Sequence, residues 1–239
     1  GTTISGTGYG VKLDAGGPYT VANSGEISAE AGTLSYGIDI NSITVTSINN
    51  TSTGVIKADA TSGGRGSGIN AENGSIGTLI NAGLISGSAA VTFGRGIYLK
   101  TNNIETLTNS GRILGVAADS KGTGLFASKS TITTLTNTGT ISGSAVDDDA
   151  FGLKLKTASI ITLTNNGLIT GSVGGYNAYG IDMDKSSINT LTNAGTISGL
   201  ATDGDGAESG AGIYLEESTI TTLNNSGLIN FISDGYDND

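Results

Sequence analysis

The stretch Ile132 to Ala145 reads ITTLTNTGTISGSA. Its central phrase, TLTN at Thr134 to Asn137, recurs at Thr106 to Asn109, Thr162 to Asn165 and Thr190 to Asn193, with looser copies at Thr78 to Asn81 and Thr222 to Asn225. A glycine follows two residues after the Asn, and a short β-branched segment such as GTISG follows that. The glycines after Asn stand at Gly25, Gly54, Gly83, Gly111, Gly139, Gly167, Gly195 and Gly227, and from Gly83 to Gly195 they are spaced 28 residues apart. A second landmark, Gly before an aliphatic residue, stands at Gly10, Gly37, Gly68, Gly96, Gly124, Gly152, Gly180 and Gly212. Two independent landmarks, each occurring eight times, define eight repeats.

The apolar residues come singly, alternate with Ser and Thr, and are largely β-branched, which is strand chemistry and not the i, i+3, i+4 pattern of a helical repeat. A propeller blade takes ~40 residues or more. A period of this length with three short strands fits a parallel β-solenoid, and the handedness of parallel crossovers predicts a right-handed coil. Stacked coils would place equivalent residues ~4.8 Å apart. One predicted inward column runs from Val11 through Ile38 and Leu153 to Ile213, its neighbour from Leu13 to Leu215. A third runs from Ile43 through Ile76 to Ile220, a fourth from Val21 through Leu135 to Leu223, and a fifth from Ile27 through Ile141 to Ile229. The whole chain, 1–239, reads as one such domain.

An Asn column at Asn23, Asn81, Asn109, Asn137, Asn165, Asn193 and Asn225 is expected to form a structural amide ladder at a bend. The Gly two residues on is expected at positive φ. Opposite charges should face each other across coils, with Lys12 over Asp39, Glu72 over Lys100, Lys154 over Asp182 and Lys156 over Asp184. Such pairs fix register more than they stabilise.

Composition narrows the chemistry. There is no Cys and no His, so disulfides, thiolate metal sites, a His-ligated zinc and a Ser-His-Asp triad are excluded within these 239 residues. A net charge of −10 argues against nucleic acid as a partner. No run of ~18 apolar residues spans a bilayer as a helix. Thr3 to Gly6 matches the third strand of a repeat, Thr140 to Gly143, so the sequence opens inside a coil and reads as a piece of a longer array.

With its GL or GI strands and Asn-x-Gly corners, ITTLTNTGTISGSA resembles the passenger regions of bacterial autotransporters of the type V secretion class, the fold of pertactin, over nearly the whole chain. The resemblance implies a right-handed β-helix on a Gram-negative cell surface, exported through an outer-membrane β-barrel that this sequence does not contain. Family members act as adhesins, autoaggregation factors or stalks, so the resemblance implies a non-enzymatic role in adhesion, biofilm contacts or virulence. The partners expected are surface glycans, host or sibling-cell proteins, or other copies of the chain. No protease or esterase motif of the family maps onto these residues. The missing Cys fits a chain that crosses the periplasm unfolded.

Several candidate sites follow. No cofactor is expected, although the acidic loops at Asp147, Asp148 and Asp149 and at Asp203 and Asp205 offer oxygen ligands of the kind calcium takes. Tyr98, Phe126 and Tyr214 are expected to point outward as a ligand or self-association face, with Tyr9, Tyr36, Phe151 and Tyr179 just before the glycines. A carbohydrate-active β-helix is the alternative: Arg65 and Arg95 near the loop edge, or Asp182 with Asp184, would carry its chemistry. A filament or surface-layer block is a third reading. Paired threonines flanking an inward Leu, such as Thr134 and Thr136, resemble the arrays of some ice-binding proteins.

Overall fold

The structure is a computed structural model, and it describes residues 2–174, 176–201 and 209–233. Among these, every regular element is a strand: 25 strands form three parallel sheets of nine, eight and eight. The chain is an all-β parallel solenoid of about eight coils. One coil shows the path. Thr131–Asn137 lies in sheet three, Thr140–Ala145 in sheet one and Ala150–Lys156 in sheet two. Each strand pairs with its copy one coil away, so Ile141 lies beside Ile169 and Leu135 beside Leu163.

The aliphatic columns form one continuous core that runs the length of the solenoid. Four of the five columns have the membership that spacing predicts. The third differs in its first coils: Val45, not Ile43, pairs with Ile76, and Tyr19 precedes Val45 in the ladder. Val45 stands three residues before Ile48, as Ile76 stands three before Leu79, whereas Ile43 lies in the bend before this strand and is buried at the edge of the same core. The Asn ladder also has no gap, because Asn50 fills the place between Asn23 and Asn81.

The corner glycines correct a second expectation. None of Gly25, Gly54, Gly83, Gly111, Gly139, Gly167, Gly195 or Gly227 has positive φ. They are glycines because the stack is close: a Cβ on Gly139 would lie 2.1 Å from the Gly111 carbonyl oxygen. Positive φ occurs instead at the corner between sheets two and three, once per coil, in non-glycine residues: Thr101, Lys129, Thr157 and Lys185 have φ of 49–51°. Left-handed backbone costs such residues roughly 1–2 kcal/mol each, which the packed columns on either side of the corner hold in place.

Glycines also let sheet one approach sheet two backbone to backbone. A Cβ on Gly143 would lie 2.2 Å from the Phe151 carbonyl, and one on Gly152 would lie 2.6 Å from the Thr170 amide nitrogen. This waist divides the interior into the large aliphatic core and a small lobe built from Ala145, Ala150, Val173, Ala178 and Ala201. The landmark glycine before an aliphatic residue, Gly152 in this coil, is thus a packing requirement.

Candidate ligand-binding face

The Asn ladder is built as a structural element. Each side-chain amide donates to the next Oδ1, as from Asn109 to Asn137 and from Asn137 to Asn165, both at 2.8 Å. The same Asn137 amide donates to the carbonyls of Leu168 at 3.1 Å and Gly139 at 3.3 Å. Asn81, Asn109, Asn165 and Asn193 repeat the arrangement, and Asn225 accepts from Asn193 at 2.7 Å. The side chains from Asn50 to Asn193 are fully enclosed, so their polar groups are spent on the corner.

Three of the expected cross-coil charge pairs form. Lys100 meets Glu72 at 3.3 Å, Lys156 meets Asp184 at 3.9 Å, and Lys154 meets Asp182 in a short contact. The fourth does not. Lys12 stands in register with Asp39 but pairs with Asp14 at 2.7 Å, two residues along its own exposed strand edge. Asp39 is buried and accepts the Asn70 amide at 2.7 Å; burial pushes its carboxyl above the usual range, partly countered by that hydrogen bond.

Among the acidic loops, Asp148 and Asp149 already face a cation: the Lys121 ammonium lies 2.6 Å from Asp149 and 3.7 Å from Asp148. The Asn177 amide donates to the second Asp149 oxygen at 3.0 Å. Asp147 is exposed beside them. Among the described residues no group of three carboxylates is placed to hold a metal ion. Asp203 and Asp205 lie outside the described residues.

The aromatic residues assemble differently from the expectation. Tyr98 and Phe126 stack with ring centroids 5.5 Å apart, whereas Tyr214 lies farther along the same column, beyond Lys154 and Asp182. Tyr214 instead packs on Tyr179 at 5.3 Å, and Tyr179 stacks on Phe151 at 5.7 Å. The three residues therefore form two clusters, and they differ in access: Tyr98 is 7% exposed and Tyr214 43%. The outer side of sheet two holds two rows of large side chains that cover one another, which is why an outward position there does not mean an exposed one.

Arg95 organises the first cluster. Its guanidinium carbon lies 4.4 Å from the Tyr98 ring centre, 4.7 Å from Phe93 and 4.8 Å from Phe126. Arg65 approaches the Tyr98 ring at 5.8 Å. Arg95 is 8% exposed, and burial, reinforced by the charge on Arg65, brings its guanidinium down to about 10. It stays cationic at neutral pH. Among the described residues every ion pair uses a lysine, so neither arginine has a carboxylate partner. Arg95 Nη1, Ser67 Oγ and Asn70 Oδ1, all on this wall, are buried without a hydrogen-bond partner. The sequence signals Arg65 and Arg95 only as two of three arginines; the aromatic cage comes from residues one coil apart. Among the described residues the outer wall of sheet three carries no comparable aromatic cluster; threonine is its commonest outward residue, beside Ile80, Glu105, Ile161 and Asn189.

Compared with models of protein families, with curated proteins and with solved structures, the chain matches none of them.

Proposed function

We propose that the chain is a non-enzymatic adhesin or structural stalk of a Gram-negative cell surface, and that its sheet-two wall engages anionic glycans. Three features support this reading. The solenoid is a stiff rod whose long sides are closed by continuous hydrogen-bonded sheets, a form suited to carrying a binding wall away from a surface. The repeat phrases resemble those of autotransporter passengers. The observation that carries the ligand class is the pair of arginines without acidic partners, Arg65 and Arg95, set among Phe93, Tyr98 and Phe126 in a chain of net charge −10. Guanidinium groups recognise carboxylate and sulfate through paired N–H donors; Arg65 is the half-buried one at the rim, and the buried Arg95 beneath it adds to the positive field.

The test is a panel of neutral, carboxylated and sulfated glycans presented to the immobilised chain, with the parent compared with Arg65→Ala. Arg65 is half-buried at the rim, so its removal leaves the core intact. Retention of acidic glycans by the parent and at least a tenfold weaker response in the variant support the reading. Equal binding of neutral and acidic glycans, or none at all, refutes it.

The same cluster favours a carbohydrate-active β-helix as the second reading. Turnover separates the two: release of new reducing ends or unsaturated products from a bound polymer replaces the adhesin with an enzyme.

A further inference from the structure

Sheet three presents a second wall, remote in chemistry from the arginine cluster. Two residues flanking the buried Leu column point outward on each strand. Threonine occupies the first of these positions in six successive coils, from Thr78 to Thr222, and the second in four, from Thr108 to Thr192. The pairing is in register throughout, so both rows run straight along the solenoid. Neighbours within a row are ~4.8 Å apart and the two rows ~6.6 Å apart, as strand geometry dictates.

Three properties distinguish these rows from ordinary strand threonines. None of the ten hydroxyls is enclosed, and none bonds to another described residue, so each is left to solvent. Neither row contains a charged or aromatic residue; the second ends at Ile80 on one side and Asn224 on the other. The backbone beneath is pinned twice, by the Leu column and by the Asn ladder two residues beyond it. A β-branched side chain on a strand has few rotamers, so the hydroxyls and methyls are ordered before anything binds.

We propose that this wall binds crystalline water. Each hydroxyl anchors one first-layer water, and each methyl excludes water from the space between anchors. The waters so placed inherit the two repeats of the rows, which lie near the oxygen repeats of a prism face of hexagonal ice. Liquid water has no such lattice, so the ordered layer joins the solid in preference. A polysaccharide would need aromatic platforms or directional polar pockets, and an ionic polymer would need charge; these two rows have neither. This proposal concerns another face and a different partner from the glycan reading, and each can fail without the other.

The experiment measures the freezing gap and the crystal shape of water containing the whole chain, with variants Thr136→Lys, Thr164→Lys and, as a control on the outer side of sheet one, Thr140→Lys. The row already accommodates Ile80 and Asn224, so a lysine there is compatible with folding, and unchanged thermal melting verifies it for each variant. The expected result is a freezing gap and faceted crystals with the parent and the control, and loss of most of the gap in both row variants. The proposal is overturned if the parent neither shapes ice nor depresses its growth at millimolar concentration. It is equally overturned if folded Thr136→Lys and Thr164→Lys are as active as the parent, or if the chain co-sediments with crystalline cellulose through these threonines while ignoring ice.

Discussion

Replacing Asn137 by Asp alters one atom of the amide ladder and reverses its role. In the parent, Asn137 Nδ2 donates to Asn165 Oδ1 at 2.8 Å, Leu168 O at 3.1 Å and Gly139 O at 3.3 Å. In Asn137→Asp a carboxylate oxygen would face those three acceptors with no proton between them. The side chain is fully buried, so water cannot take their place. Burial alone raises such a carboxyl by up to about 3–5 units, and each unit is about 1.4 kcal/mol. The expected loss at pH 7 is therefore about 4 kcal/mol, because a carboxyl raised this far takes up a proton in the folded state and the cost stops growing; that is a large share of the roughly 5–15 kcal/mol typical of a folded domain. The sign of the pH dependence follows. The carboxyl titrates near 3.9 when unfolded and higher when folded, so the folded state binds more protons between the two values. The variant's deficit against the parent is greatest above the raised value and shrinks as pH falls toward about 4, where the protonated acid can again donate to Asn165. The assay is urea denaturation of parent, Asn137→Asp and Asn137→Ala from pH 4 to 8, with hydrogen exchange at the Asn109 to Asn165 corners. Asn137→Ala leaves donor and acceptor unpaired without adding charge, so its deficit should be smaller and independent of pH. A pH-independent deficit in Asn137→Asp, or one no greater than that of Asn137→Ala at pH 8, would refute a sealed ladder.

Leu135, fully buried in the fourth column, should lose roughly 2–5 kcal/mol as Leu135→Ala, and Leu135→Asp should not fold at all through this coil; near-native melting of the latter refutes its inward place. Gly143→Ala should destabilise by about 1–3 kcal/mol or more, because its Cβ meets the backbone carbonyls of Phe151 and Gly122 and not a movable side chain; a neutral result in thermal melting would mean the waist is looser than described. Lys129→Gly should raise the melting point, gaining about 0.5–1 kcal/mol by relieving a φ of 49°. Asn102 is buried with both amide atoms unpaired, whereas Ser130 one coil on donates to Ser128 O at 2.8 Å and accepts from the Asn102 backbone N–H at 3.1 Å. Asn102→Ser should therefore stabilise by about 1–2 kcal/mol, and a lower urea midpoint would contradict that.

The coil, its period and nearly all of the core can be read from the amino-acid order alone. A parallel solenoid makes this possible, because residues one period apart become neighbours, and a vertical alignment of the repeats is then a contact map. Ile141 beside Ile169, the Asn ladder and the Lys154 pair with Asp182 are legible for that reason. Legibility fails where the period slips or where contacts run between sheets. Asn50 is followed by Gly54 four residues on, not two, so it breaks the Asn-x-Gly pattern, and Ile43 is as plausible a core residue in the sequence as Val45 two positions later. A glycine signals either positive φ or close approach, and only the packed backbone tells Gly139, pressed on Gly111, from a turn glycine. The candidate faces depend on lateral contacts in the same way. Spacing places Tyr98, Phe126 and Tyr214 in one column, but whether they are exposed depends on the neighbouring row, and that row buries Tyr98 beside Arg95 and leaves Tyr214 open. Repetition along the axis is written in the chain; the covering of one row by the next is set by side-chain size and by how far the sheet bends, which emerge only when the coils are packed.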